Sequence, residues 1–296
     1  MSREAAVPGA NGKVHSNNGR RSRNTSSTPL PTNSVLQNEV NSLQREKLDL
    51  YSQLFEAGQI QRKLSGSREL RHGCLQFASE VFAARFLSGD FTMFLQHSSK
   101  VFAVHGDIAG KGIAAGMWFT NLAGLLQSYG HPDSDPARIA SEVNRHLCYL
   151  RPVAPFATAF LSQIDCDSGD LTYCNAGHFP PVLLRSDGEV ELLETGGPLL
   201  GAIESAAFRS GQLVLAPGDT LLAYSDGVVE CRNAAGEEFG LERLADILQH
   251  ARQPSPHATL MVLLATLQDF ANGDPICDDV SLTVIQRDKT ASGLTA

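Results

Sequence analysis

The sequence contains no apolar run near the roughly 18–20 residues that span a bilayer. Its opening residues, with Arg3, Glu4 and Lys13 in a polar stretch, lack the apolar block of a secretory signal peptide. No membrane association is expected, and the cytoplasm is the expected compartment. Basic residues are in the minority: 24 Lys plus Arg stand against 32 Asp plus Glu, a net charge of −8. That balance argues against a protein held to nucleic acid by bulk charge. The cysteines (Cys74, Cys148, Cys166, Cys174, Cys231 and Cys277) form no CxxC pair and no zinc-ligand spacing. They read as reduced, buried thiols. The glycine-rich stretch Gly106–Gly112 lacks the GxxxxGK[ST] spacing of a nucleotide-binding loop. No GxSxG elbow is present for Ser/His/Asp hydrolase chemistry.

What is present supports a core, since 42% of residues are hydrophobic. The length allows one large domain or two modest ones. The charge falls into three regimes. Residues 1–33 carry five basic groups and one acid, with almost no large apolar side chain. They cannot repay the entropy of ordering, so a disordered basic tail is expected. Its Arg20, Arg21 and Arg23 suit an acidic partner, but no other segment supplies the basic face that nucleic-acid binding needs. Residues 34–65 are neutral, with four groups of each sign. The rest carries the acid excess.

Positions 36, 40, 43, 47, 50, 54, 57, 61 and 64 alternate steps of four and three, and seven of these nine are apolar. This is the seam of a coiled-coil helix over residues 34–65. Asn33 or Ser34 is the expected cap, and Gly58 is expected to weaken the last turns. Self-association through residues 35–64 follows as an expectation; a lone helix packed on the domain is the alternative.

Beyond residue 70, strands are expected at 74–83, 91–97, 100–106, 156–164, 170–175, 180–185, 206–215, 219–224 and 279–286. Helices are expected at 112–129, 136–150, 240–251 and 257–271, with Asp135 capping Pro136. Turns at Asp167–Asp170 and Ser186–Gly188 join neighbouring strands as hairpins. Hairpin-linked strands with helices inserted in blocks indicate an antiparallel α+β layered domain. It should occupy residues 70–287, with a frayed tail over 288–296.

Four acids lie at the ends of apolar strands: Asp90, Asp107, Asp226 and Asp278. A carboxylate so placed is costly to desolvate without a positive partner. Four of them converging would repel one another strongly without a cation. Hard oxygen ligands suit Mg²⁺ or Mn²⁺.

The string Gly106-Asp107-Ile108-Ala109-Gly110-Lys111-Gly112-Ile113-Ala114-Ala115 resembles the GDVSGKGxxAA segment of the SpoIIE-like branch of metal-dependent PPM serine/threonine phosphatases. Asn175–Pro181 is similar to its NAGHxPP element, and Pro217–Glu230 to its PGDxLLLYTDGVxE segment. Phe239-Gly240 and Asp278–Leu282 match its FG and DDxTL signatures. These motifs occur in the family's order over about residues 70–287.

The resemblance implies two antiparallel β-sheets packed as a sandwich and flanked by α-helices. It implies two divalent cations, Mn²⁺ or Mg²⁺, bridged by Asp107 with help from the Ile108 carbonyl. Asp226 and Asp278 would hold one ion and Asp90 the other; Asp279 is the riskier choice for the last ligand. Such a cation pair activates a bridging hydroxide for in-line attack on phosphorus, with no covalent phospho-enzyme. The implied substrate is a phosphoserine or phosphothreonine protein of the anti-sigma-factor-antagonist type. His178 is expected to fix a turn, Lys111 to be a solvated loop group, and Trp118 to lie in the core or an interface. The sequence departs from the family at Ser88, where a glycine is usual, and at Thr92-Met93, where Tyr-Asp is usual. Loss of an acid near Met93 is expected to weaken the second metal. A catalytically weak member serving as a partner-binding scaffold is the alternative.

Overall fold

The computed structural model describes residues 33–250, 253–273 and 278–289. The basic tail expected up to residue 33 and most of the expected C-terminal tail therefore lie outside the described residues, as does Cys277. The chain divides into two compact units, residues 1–47 and 48–296. Within the first, the described residues are the opening turns of helix α1 (Asn33–Leu64).

Among the described residues, the second unit holds twelve strands. One sheet contains β1 (Glu69–His72), β2 (Leu75–Phe82), β7 (Val182–Leu184), β8 (Val190–Leu192), β11 (Thr220–Tyr224) and β12 (Val280–Arg287), in the order β1-β2-β12-β11-β7-β8. The other contains β3 (Asp90–His97), β4 (Lys100–Ile108), β5 (Ala157–Asp165), β6 (Asp170–Ala176) and β10 (Gly211–Val214), in the order β10-β6-β5-β4-β3. The two-residue β9 (Gly196–Gly197) pairs with β6 in parallel; the other pairings are antiparallel.

The sheets form the middle of four layers. Strand alternation sends every second side chain inward. Leu75, Phe77, Val101, Ala103, Phe160, Ile164, Leu221 and Ile285 form the core between the sheets. The intervening residues face outward. Phe91, Met93, Phe102, Val104 and Leu161 pack under α2 (Ile113–Tyr129) and α3 (Pro136–Tyr149). Leu222, Tyr224, Val280, Leu282 and Val284 pack under α5 (Leu241–His250) and α6 (Pro256–Ala271). Because both faces of both sheets are covered, the central strands read as nearly continuous apolar runs.

The expected helices and most strands stand within one or two residues of these bounds. β1, β8 and β9 are too short to leave a periodic signal, and the expected strand at 206–215 shrinks to Gly211–Val214. Asp135 caps α3 by accepting from the Ala137 amide at 3.0 Å. Asn33 and Ser34 lie inside α1 rather than ahead of it. Gly58 does not simply weaken that helix. It is buried where the helix meets the Phe86 carbonyl, and a Cβ there would collide with that oxygen. The later turns of α1, from Leu48 on, belong to the second compact unit.

Asp219, from the Pro-Gly-Asp motif, is a structural acid. Its side chain is fully buried and accepts from the Arg185 guanidinium and from the Ser186 and Ala216 amides, each at 2.9 Å. It joins the turn after β7 to the turn before β11. Arg185 keeps Glu191 at 2.6 Å, but Asp219→Ala removes the acceptor of the Ser186 and Ala216 amides, so it should lower unfolding free energy by about 2 kcal/mol or more. Urea denaturation measures this; a loss under about 1 kcal/mol would contradict the assignment.

Candidate metal centre

Between the sheets the core changes character along the strands. At one end it is Leu75, Phe77, Val101 and Ile285. Toward the other, the buried polar residues Ser79, Thr92, His105, Thr283, Ser281 and Ser225 take over. The carboxylates stand at that polar end.

Asp90 opens β3 and lies directly opposite Asp107 near the end of β4. Like charges placed so in a ladder repel. Asp90 is 3% exposed, and its Oδ2 is buried without a hydrogen-bond partner. Burial raises its pKa well above the usual carboxylate range, and the Asp107 charge raises it further. The Ser225 and Ser281 hydroxyls oppose this by hydrogen bonding to it. Burial also pushes Asp107 up to about 6, helped by the charges of Asp226, Asp279 and Asp278.

Asp226 comes from the other sheet, where β11 runs into the one-turn helix α4 (Asp226–Val229). Its pKa is raised by burial and then by Asp278. Asp278 precedes β12 and is more open; its Oδ2 meets the Lys111 ammonium at 2.6 Å, with both side chains over 40% exposed. That hydrogen bond holds Lys111 above the usual lysine value. An ion pair so exposed contributes at most about 1 kcal/mol. The structure thus brings Asp90, Asp107, Asp226 and Asp278 into one mutually repelling group drawn from both sheets.

Asp279 has a different task. Its carboxylate accepts from the Ala84 amide at 2.7 Å and from the Ser88 hydroxyl and Gly89 amide, each at 2.8 Å. It anchors the loop that delivers Asp90, and its oxygens are occupied. Ser88, the departure from the family's glycine, takes part in this anchor. Its hydroxyl donates to Asp279 and accepts from the Asp90 amide at 3.0 Å. Gly89 lets the chain pass close to the centre, since a Cβ there would come within 2.7 Å of both Asp107 Oδ1 and the Ile108 carbonyl oxygen.

The structure corrects the expectation drawn from Met93. Position 93 faces away from the carboxylates, 1% exposed in the core beneath α2. An acid there would be buried among Phe91, Phe119 and Val104, not beside a metal. Thr92, on the same face as Asp90, instead donates to the Ser79 hydroxyl at 3.0 Å. The main support for a catalytically weak scaffold disappears with this placement.

His178 is buried, with Nδ1 2.9 Å from the Thr158 hydroxyl and its amide donating to Asn175 Oδ1 at 2.7 Å. Its Nε2 is out of solvent and has no partner of hydrogen-bonding geometry; the nearby Tyr224 backbone favours the charged ring without satisfying it. Burial lowers its pKa to about 4, so it stands as a neutral turn-fixing group. Trp118 packs against the core under α2 and α3.

Sequence reading missed Ser225, Ser281 and the anchoring role of Asp279. The available signal was alternation: Ser281 and Thr283 interrupt an apolar strand at every second position, which marks a polar patch on its inner face.

Among the described residues, no three His, Cys, Asp or Glu side chains form a ready-made ion cage. The donor set nevertheless fits hard divalent cations. It offers only carboxylate and carbonyl oxygens, includes the unpartnered buried Asp90 Oδ2, and carries charges that a cation would compensate.

Comparison with known proteins agrees with this arrangement. The family model of stage II sporulation protein E (SpoIIE) matches residues 97–288. The chain belongs to the SpoIIE family. Among curated relatives, protein IcfG of Synechocystis is 29% identical over 69% of this chain. Phosphoserine phosphatase RsbU of Bacillus subtilis is 25% identical over 84% of it, and RsbP of the same organism 30% identical over 63%. The chain spans 36% of IcfG, 74% of RsbU and 47% of RsbP. The SiaA-PP2C domain of Pseudomonas aeruginosa shares the fold, with a TM-score of 0.70 and 22% identity over 82% of this chain and 99% of that domain.

A cation must displace the proton that Asp107 retains below about pH 6. Protonation therefore opposes binding, and apparent Mn²⁺ affinity should fall about tenfold or more between pH 7 and pH 5. Calorimetric titration at the two pH values measures this; equal affinities would contradict the raised Asp107 pKa.

Proposed function

We propose that this chain is a metal-dependent protein phosphatase that hydrolyses phosphoserine or phosphothreonine on a regulatory protein. The observation that carries the reading is the crowding of Asp90, Asp107, Asp226 and Asp278 at one end of a SpoIIE-family sandwich. Relatives named as phosphoserine phosphatases support the same chemistry. The substrate is a phosphorylated anti-sigma-factor antagonist in a bacterial partner-switching circuit. The compartment is the cytoplasm; no helix among the described residues is long and apolar enough to cross a membrane.

Two cations, Mn²⁺ or Mg²⁺, would be held by these residues. Asp107 would serve both, with the Ile108 carbonyl assisting one; Asp226 and Asp278 would hold one ion and Asp90 the other. Bound there, the cations supply positive charge to a phosphoryl group and acidify water. The Ser225 and Ser281 hydroxyls favour the charged form of Asp90 against the burial that raises its pKa. Asp279 keeps the 84–89 loop, and so Asp90, in place. Lys111 adds positive charge at the open side of the centre, where a phosphoryl group arrives.

The reading needs no protein nucleophile. Burial pushes the thiols of Cys166 and Cys174 up to about 12, so neither is a thiolate at neutral pH.

Helix α1 is the regulatory input. Its Gln61 donates from Nε2 to the Ser88 carbonyl at 2.7 Å and accepts from the Ser88 amide at 3.1 Å. The helix is thereby tied to backbone two residues from Asp90. Upstream, Leu36, Val40, Leu43 and Leu50 are 44–58% exposed and form the seam for a homodimer through residues 35–64.

The test is Mn²⁺-dependent hydrolysis of p-nitrophenyl phosphate. Asp107→Asn and Asp226→Asn should each lower the rate by about 100-fold or more. Rates equal to the wild type would remove the enzyme reading.

A further inference from the structure

His105 is 1% exposed on the inner face of β4, two residues before Asp107. The preceding inward positions of that strand hold Val101 and Ala103. An imidazole buried between two sheets is costly unless both ring nitrogens are satisfied. Both are, and by the opposite sheet. Nδ1 lies 2.9 Å from the Thr283 hydroxyl, and Nε2 lies 3.2 Å from the Ser281 hydroxyl. These hydroxyls are two residues apart on β12, so they face the same way.

Ser281 is fully buried and locked to Ser225. Its amide donates to the Ser225 hydroxyl at 2.9 Å, and the Ser225 amide donates to the Ser281 carbonyl at 3.1 Å. The same two hydroxyls lie beside Asp90 and lower its pKa against burial. A serine hydroxyl has one proton to give. If Ser281 gives it to Asp90, its oxygen must accept from His105, which assigns the ring proton to Nε2. Nδ1 is then an acceptor, and the Thr283 hydroxyl donates to it. Every donor in the row finds an acceptor, and every bond polarises the next toward Asp90. The His178 ring, 5.1 Å away centre to centre, closes the remaining side.

We propose that His105 is a positioning residue for the metal centre: from inside the sandwich it orients the Ser281 hydroxyl toward Asp90. The relay runs from Thr283 through His105 and Ser281 to the carboxylate, across the gap between the sheets. The inference rests on the metal-centre reading above and adds a residue that touches neither metal nor substrate.

The experiment is calorimetric titration of the full chain with Mn²⁺. Groups that orient a metal ligand typically contribute about 10–100-fold in affinity. His105→Leu, which keeps bulk and loses both bonds, should raise the Mn²⁺ Kd about tenfold or more. His105→Gln, which restores an amide N–H, should stay within about threefold of the wild type. Adding Ser281→Ala to His105→Leu should cost little further affinity, since both break one relay. A folded His105→Leu protein with wild-type Kd overturns the proposal, as does full additivity with Ser281→Ala. If His105→Leu does not melt cooperatively, Thr283→Val decides: an unchanged Kd overturns the relay, and a Kd raised about threefold or more supports it. A wild-type chain that binds no Mn²⁺ overturns the metal centre and the relay together.

Discussion

Like charges do not gather at the edge of a protein core without a reason, and here they come from both halves of a sandwich. Asp90 and Asp107 face each other across neighbouring strands of one sheet. Asp226 and Asp278 arrive from strand ends of the other. Burial, and after it their mutual repulsion, raises the pKa values of Asp90, Asp107 and Asp226. Much of the surrounding structure is arranged to hold them against that repulsion. Apolar packing closes the sandwich at the far end. Hydroxyls and an imidazole replace it as the strands approach the acids. A buried polar patch of this kind is stable only when its members are paired, and the seryl, threonyl and histidyl groups pair with one another across the sheets.

The same constraint explains the loop before Asp90. A strand-end ligand is only as well placed as the backbone that delivers it. Asp279 holds this backbone from β12, and Gln61 holds it from α1. Ser88 meets both. Gln61 lies in the last turn of α1, so this end of the helix grips the loop that carries Asp90.

The fold was legible from sequence where the signal was periodic and long. The 3.6-residue pattern placed the longer helices, and hairpin turns at 167–170 and 186–188 implied antiparallel pairing. Strands of two to four residues, β1, β8 and β9, carry too few positions to show a period. The acids were legible because each ends an apolar strand. Their supports were not, because hydroxyls on an inner face look like ordinary strand serines and threonines until the facing sheet is known. Position 93 shows the opposite error. The family's usual acid there suggested a place near the second metal, but three residues from Asp90 along a strand is an odd number, so the side chain points to the other face. Gly58 misled for a related reason: helix propensity alone argues against it, while a close approach to Phe86 requires it.

The central claim is that these four carboxylates share bound divalent cations. Anomalous diffraction from crystals grown with Mn²⁺ tests it most directly. The account predicts anomalous peaks bounded by Asp90, Asp107, Asp226 and Asp278, with Lys111 displaced from Asp278. Ordered Mn²⁺ elsewhere on the molecule, with these four side chains free of any peak, would contradict it.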